Sequence, residues 1–477
     1  MSTPLLHKAY NSQTFKKEGE QLVDLLTQHL ETTLAGTSEK VIDWQEPEDE
    51  YAFWKAYSNQ SHQSAHFFST VLQRSIHTHH PHYIGHQVSP TVPISALATL
   101  LSAQLNNGMA IYEMGAASTA LERIVIEYFT QAVGYQSGDG FLTSGGTLGN
   151  LTALLAARRA YTQEDVWNQG HDKALAVMVS EEAHYCVDRA ARIMGLGEKG
   201  IIKIPVDAQY QMKTELLASA FDRATQSGLE VIAIVGSAPS TSTGMYDDLE
   251  AISAFAKAKQ LWFHVDAAHG GGALFSEKYK PLLKGIAQAD SVIIDGHKMM
   301  ATAAITTAVL FKNTAASYAT FEQKAQYLWE KNDDPDWYNM AKRTFECTKS
   351  MMSLRFFAIR NAFGMAFFDD YVTTLYDAGI AFSELVEQQY DFELALSPAC
   401  NIVCFRYIGD GTIPDLNKLN QYIRTTLLEE GHFYIVATQL KQGYYLRTTF
   451  MNPFTTVAHT TALLERIRAT ALSILKQ

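Results

Sequence analysis

Two hydrophobic rhythms divide this chain. Between Gln21 and Leu34, apolar residues fall at Leu22, Val23, Leu25, Leu26, Leu30 and Leu34, the spacing of a helical stripe. Residues 1–92 therefore read as a helical, polar-amphipathic segment, which ends in the Gly- and Pro-rich stretch Tyr83 to Pro93. Beyond it the period shortens. Apolar runs at Ala174–Val179, Val231–Val235, Leu261–Val265, Ser291–Ile294 and Thr307–Phe311 alternate with amphipathic stretches such as Leu148–Tyr161, Glu215–Ser227 and Leu249–Lys259. Buried strands alternating with helices predict an α/β domain over residues 93–366 built on a mainly parallel sheet. In such sheets, ligands sit on the loops at the carboxyl ends of the strands. Residues 367–477 mix helices with short strands such as Ile402–Tyr407 and Tyr444–Thr449, and read as a smaller α+β domain.

Composition narrows the function classes. Of 477 residues, 47% are apolar and 18% charged, enough to bury a large core. A net charge of −12 argues against nucleic acid or an anionic membrane as the main partner. Cys186, Cys347, Cys400 and Cys404 contain no C-x-x-C pair and form no disulfide framework, so a reducing cytoplasm is expected. No basic stretch followed by an apolar run marks a signal peptide, and no apolar stretch reaches membrane-spanning length. His77, His79, His80, His82 and His86 cluster without the paired spacing of a metal site, so no metal is expected.

Four motifs fall on the predicted strand-end loops. Ile294-Asp295-Gly296-His297-Lys298 places a lysine directly after an apolar strand, where burial can lower its pKa and prepare it for Schiff-base chemistry. Trp262-Phe263-His264-Val265-Asp266-Ala267-Ala268 ends another strand on a carboxylate followed by small residues. Pyridoxal phosphate needs such a group to keep its ring nitrogen protonated, and Ala268 leaves room for a ring. Ser144-Gly145-Gly146-Thr147 opens the predicted helix that follows, and suits a phosphate held by backbone N–H groups and the Thr147 hydroxyl. Ser180-Glu181-Glu182-Ala183-His184 brings an imidazole to a fourth strand end, where it could stack on a pyridine ring.

In this order the motifs resemble the group II pyridoxal-phosphate-dependent amino-acid decarboxylases, from about Tyr83 to Pro453. The resemblance implies the aspartate-aminotransferase-like fold of fold-type I enzymes and an obligate homodimer with active sites between subunits, with residues 1–92 as its dimerisation segment. It implies Lys298 as the cofactor-bearing lysine, Asp266 as the ring-nitrogen partner and His184 as the stacking base. Gly146, Thr147 and His297 would face the phosphate. Ser240 and Thr241 resemble a family segment near the cofactor, with Pro239 where a glycine is usual. Asp295 replaces a common phosphate-binding Asn. A carboxylate there would repel a phosphate, so Asp295 is expected to point away or to bond a backbone amide.

The family carries a proton-donating Tyr on a mobile loop. Here that region is Tyr327 to Lys342, with Tyr338 as the candidate and Tyr327 as its rival. Arg447, in Tyr445-Leu446-Arg447-Thr448-Thr449, resembles a family arginine near the substrate, and Gln87 and Ser89 resemble a stretch lining the substrate pocket. The expected reaction is decarboxylation of an L-amino acid to its amine and CO2. Asp-Gly-His-Lys and the terminal Arg-Thr-Thr stretch look closer to bacterial tyrosine- and diamino-acid-type members than to animal aromatic enzymes, and Glu113 could pair a distal ammonium. Glutamate or sulfinoalanine decarboxylation, oxidative decarboxylation to an aldehyde, another pyridoxal-phosphate reaction, and a non-catalytic scaffold are the alternatives.

Overall fold

The computed structural model describes residues 4–162, 166–321 and 336–475. The chain divides into two compact units: Met1–His86 with Ala381–Ser397 and Val403–Gln477, and Gln87–Ile380 with Pro398–Ile402.

The larger unit carries a seven-stranded sheet. Its strands are β1 (Asp139–Thr143), β2 (Leu175–Ser180), β3 (Ile201–Ile204), β4 (Glu230–Ser237), β5 (Trp262–Asp266), β6 (Ser291–Asp295) and β7 (Thr307–Phe311). They lie in the order β1-β7-β6-β5-β4-β2-β3. Pairing is parallel from β3 through β6, and only β7 runs against its neighbours β6 and β1. Every residue of β2, β6 and β7 is buried. That two-sided burial is why these strands read as unbroken apolar runs. The five strands expected from the apolar runs are all present. The two that such runs do not signal, β1 and β3, are the sheet's edges. β1 opens on Asp-Gly and β3 is a partly exposed Ile-Ile-Lys-Ile, so neither shows a long apolar run.

Helix Gly146–Tyr161 covers the sheet. Its Leu151, Leu154 and Ala157 share a core with Leu175, Val177, Val179, Ile232 and Val235. It lies close enough on β6 that a Cβ at Gly149 would come within 3.0 Å of Ile293 Cγ2.

The second unit holds a four-stranded sheet in the order β10-β11-β9-β8, from β8 (Phe392–Leu394), β9 (Ile402–Tyr407), β10 (Val436–Leu440) and β11 (Gly443–Thr449). The N-terminal segment is tied into this unit: Val41 N donates to Gly431 O at 2.8 Å, Ile84 N to Tyr434 O and Thr449 N to Ile84 O, both at 3.0 Å. The expected stripe lies in helix Ser12–Leu34, with Val23 and Leu26 exposed. Among the described residues no group of His, Cys, Asp and Glu is arranged to hold a metal, and no helix is long and apolar enough to cross a membrane.

Candidate active site

Parallel pairing sends the carboxyl ends of β2, β4, β5 and β6 to one edge of the sheet. β1 joins them because two antiparallel steps restore its direction: Thr143 pairs with Thr307, and Thr307 with Asp295. A cavity of about 310 Å³ opens at this edge. Gly146, Thr147, His184, Thr241, Asp266, Ala268, His297 and Lys298 all line it, so the four motifs and the segment of Thr241 meet there.

Lys298 sits on the short helix Gly296–Met299 that follows β6. Asp295, the last residue of β6, faces it: Oδ2 lies 3.0 Å from Lys298 Nζ, while Oδ1 accepts from Thr307 Oγ1 at 2.5 Å. This corrects two sequence expectations. Asp295 points into the cavity rather than away, and the lysine's pKa is raised rather than lowered. Burial pulls Lys298 down, but the Asp295 carboxylate, with Asp266 behind it, pushes the amine above its ordinary value. Burial likewise pushes Asp295 up, and Lys298 and His297 outweigh it to hold the carboxyl low. His297 Nε2 is 3.7 Å from Asp295 Oδ2, and its Nδ1 is 3.0 Å from Thr306 O.

Asp266 ends β5 in a buried position. Its Oδ1 accepts from Ala268 N at 3.1 Å and its Oδ2 from Asn150 Nδ2 at 3.1 Å. The triple glycine beyond it is dictated by close packing. A Cβ on Gly271 would fall 2.6 Å from Ile294, and one on Gly272 would fall 2.4 Å from Met299 Cβ.

His184 caps helix Tyr185–Ile193, and its Nδ1 accepts from Cys186 N at 3.3 Å. Burial lowers its pKa, against the pull of Asp266. The neutral ring therefore carries its proton on Nε2.

The mouth of helix Gly146–Tyr161 forms the anion-suited end. Leu148 N and Gly149 N both turn back to Gly145 O at 3.1 Å, which leaves the N–H groups of Gly146 and Thr147 as first-turn donors. Gly145 has φ +105, and a Cβ on Gly146 would come within 3.3 Å of both Asp295 carboxylate oxygens. Glu346 fixes the approach to this turn: its Oε1 accepts from Thr143 Oγ1, Ser144 N and Ser144 Oγ. A buried Glu122–Lys349 ion pair holds Leu142 by both its N–H and its carbonyl.

Other sequence-predicted residues lie elsewhere. Ser240 is buried with its hydroxyl 2.8 Å from that of Thr243, off the cavity wall. Ser89 donates to the carbonyl of His297 at 3.0 Å, so it touches the motif from behind. Gln87 is partly buried, and Glu113 is exposed in the first turn of helix Tyr112–Val133. Tyr338 donates to Asp336 at 3.2 Å and packs edge-on against Tyr112. Tyr327 falls outside the described residues. Arg447 is buried on β11 in the other unit. Asn150, Cys186, Asp295 and His269 also line the cavity without having been singled out as site residues. Asn150 lies three residues beyond Thr147, on the helix that this motif opens.

Comparison with known proteins agrees with this geometry. The family model described as the pyridoxal-dependent decarboxylase conserved domain matches residues 61–408. The L-2,4-diaminobutyrate decarboxylase of Rhizobium meliloti is 30% identical over 84% of this chain and 80% of its own. The aspartate 1-decarboxylase of Aliivibrio fischeri is 28% identical over 83% of this chain and 80% of its own. The crystal structure of mouse CSAD superposes with a TM-score of 0.89 at 23% identity, covering 97% of this chain and 99% of that one. A domain match that takes in the cavity's every motif leaves one assignment: the chain belongs to the pyridoxal-phosphate-dependent amino-acid decarboxylases.

Proposed function

We propose that this enzyme converts an L-amino acid with a long side chain, a diamino acid such as 2,4-diaminobutyrate or an aromatic one, to its amine and CO2. The observation that carries the chemistry is the meeting of Lys298, Asp266 and His184 on one small cavity. The substrate reading rests on the Asp-Gly-His-Lys motif and on the 30% identity to a diaminobutyrate decarboxylase. An acidic side chain is the second reading, favoured by the similarity to an aspartate 1-decarboxylase.

The residues fit pyridoxal phosphate. The first-turn N–H groups of Gly146 and Thr147 suit a phosphate, and Lys298 and His297 offset the Asp295 carboxylate beside that turn. When bound, the cofactor supplies an electron sink for the pair left by the departing carboxyl carbon. Lys298 supplies the amine that captures the cofactor, and Asp295 holds that amine's proton. Asp266 would keep a proton on the ring nitrogen, and His184, Ala268 and Thr241 would border the ring. Ser89 steadies His297 through its carbonyl. Arg447 would pair the substrate's carboxylate.

Tyr338 is the proposed acid that returns a proton to the α-carbon, with Tyr327 as its rival. Tyr338 must leave Asp336 to do so, a closure consistent with loop gating in other enzymes. Gln87 and Glu113 are proposed for substrate recognition. Glu113 is exposed in the single chain, so that role needs a second copy to close over it.

Helix Pro93–Leu105 supports such a dimer. It buries Ser95 and Ser102 while exposing Leu97, Leu100, Leu101 and Leu105, an inverted helix. Ser95 earns its burial by accepting from Ala303 N at 3.0 Å. An exposed leucine row on the opposite face is what an intersubunit surface requires.

The deciding experiment is CO2 release and amine formation across 2,4-diaminobutyrate, lysine, ornithine, tyrosine, tryptophan, aspartate, glutamate and cysteine sulfinate. Preference for an acidic substrate sinks the substrate reading alone. Aldehyde and peroxide in place of amine would remove Tyr338 as proton donor.

A further inference from the structure

A buried chain of hydrogen bonds runs away from the cavity, and the catalytic reading does not use it. It begins at Trp262, on the same face of β5 as His264 and Asp266, since alternate strand residues share a face. Trp262 Nε1 donates to Ser291 Oγ at 2.8 Å. Ser291 Oγ lies 2.9 Å from His264 Nδ1. His264 Nε2 lies 2.8 Å from Asn150 Oδ1, and Asn150 Nδ2 donates to Asp266 Oδ2 at 3.1 Å. His264 and Ser291 are fully buried, and Asn150 almost so.

The direction of every proton follows from the two ends. A carboxylate only accepts, so Asn150 must turn its NH₂ toward Asp266 and its carbonyl toward His264. The proton of a neutral His264 then sits on Nε2, and Nδ1 is an acceptor. Ser291 donates to it, and an indole, which only donates, completes the hydroxyl's bonding. Burial drives the His264 pKa down to about 4, against the pull of Asp266, so the neutral ring is the form in place. Nδ1 also lies 3.2 Å from Ser291 O, a contact that offers it no proton. Four donors thus point the same way, toward Asp266.

A fully buried strand position such as 264 would ordinarily carry an apolar side chain, because a buried imidazole is costly unless both nitrogens are satisfied. Aligned donors in a low-dielectric interior reinforce one another and stabilise negative charge at the accepting end.

We propose that Trp262, Ser291, His264 and Asn150 are positioning residues that form one polarised relay, keeping Asp266 ionised and oriented toward the ring nitrogen of the bound cofactor. The inference rests on Asp266 being that nitrogen's partner.

The test uses full-length holoenzyme loaded with pyridoxal phosphate labelled with ¹⁵N at the ring nitrogen, whose resonance reports protonation across a pH series. Asp266→Asn is the control and should move the resonance toward the unprotonated position. His264→Gln retains a donor in place of Nε2 and should stay near wild type. His264→Asn retains only a substitute for Nδ1 and should move part of the way, with kcat down about tenfold and KM nearly unchanged, the scale of one lost hydrogen bond. Ser291→Ala is a milder break and should make the nitrogen lose its proton at lower pH than in wild type. If His264→Asn does not fold, Ser291→Ala decides alone. A wild-type resonance and pH profile in every relay variant that folds, beside a shifted Asp266→Asn, overturns the relay. An unmoved resonance in Asp266→Asn overturns the assignment of Asp266 itself and the relay with it.

Discussion

Asp295 Oδ2 and Lys298 Nζ lie 3.0 Å apart, joining the last residue of a strand to the amine proposed to capture the cofactor. The pair is anchored, because Thr307 on the neighbouring strand donates to the other carboxylate oxygen. An amine attacks a carbonyl only when neutral, and this ion pair favours its protonated form. The carboxylate that holds the lysine in place thus also sets the pH at which it becomes reactive.

Asp295→Asn should therefore move cofactor capture to lower pH. The Lys298 pKa is raised because Asp295 outweighs burial. With that charge gone, burial continues to act and the amine's pKa falls. The check is the rate at which apoenzyme develops cofactor absorbance, measured across a pH series. An unchanged midpoint would mean that the ion pair does not govern the amine.

Lys298→Ala should reduce turnover on the order of 10⁴-fold or more, the scale of losing a covalent catalytic group. Borohydride reduction of the wild-type holoenzyme, followed by peptide mapping, should place the pyridoxyl label on the peptide containing Lys298. A label on another lysine would refute the assignment.

Much of this site was legible in the sequence because each motif is local. Asp266 and Lys298 each end an apolar run, and parallel pairing of β5 with β6 then carries both to one edge. The glycines were legible as small residues, though the reason for Gly271 and Gly272 is the side chains of Ile294 and Met299, which only packing reveals. The orientation of Asp295 does not follow from the repulsion of a phosphate, because the attraction of a lysine three residues on sets it. Ser89 and Glu346 act through bonds to residues about 200 positions away, and no local pattern announces such partners. Edge strands β1 and β3 escaped because one-sided pairing relaxes the demand for continuous apolar sequence.

Leu101→Glu on helix Pro93–Leu105 should split the proposed dimer. Leu101 is 53% exposed in the single chain, while Ser95 and Ser102 occupy the helix's buried face. A charge forced into an apolar contact costs several kcal/mol, so the dissociation constant should rise at least about 100-fold. Analytical ultracentrifugation of wild type and variant is the check. A wild-type monomer, or a variant that dimerises equally well, would contradict the assignment of this face.

The histidines of the second unit should make it acid-sensitive. Burial is the main reason that His29 and His82 are each pushed down to about 4, with His77 and His79 adding to the effect on His29, and His80 and His459 on His82. His77 and His80 are lowered as well, again mainly by burial. Their rings are engaged while neutral: His29 packs edge-on against His77, and His82 stacks on Phe433 with Nδ1 3.1 Å from His432 O. A group whose folded pKa is depressed takes up its proton more readily when unfolded. The stability it contributes is therefore complete above its ordinary value of 6.5, and drains away as pH falls from there toward about 4. Asp247 and Asp290 in the larger unit oppose this, since burial lifts both carboxyls, that of Asp247 to about 6, and protonation relieves them as pH falls. Two carboxyls cannot balance four imidazoles. Denaturant unfolding measured across this range should thus show stability falling with pH, and His29→Gln with His82→Gln should flatten that slope by about one proton per histidine replaced. An equal slope in the double variant would show that these rings are already protonated in the folded protein, or never protonated on unfolding, and would remove them as the source of acid sensitivity.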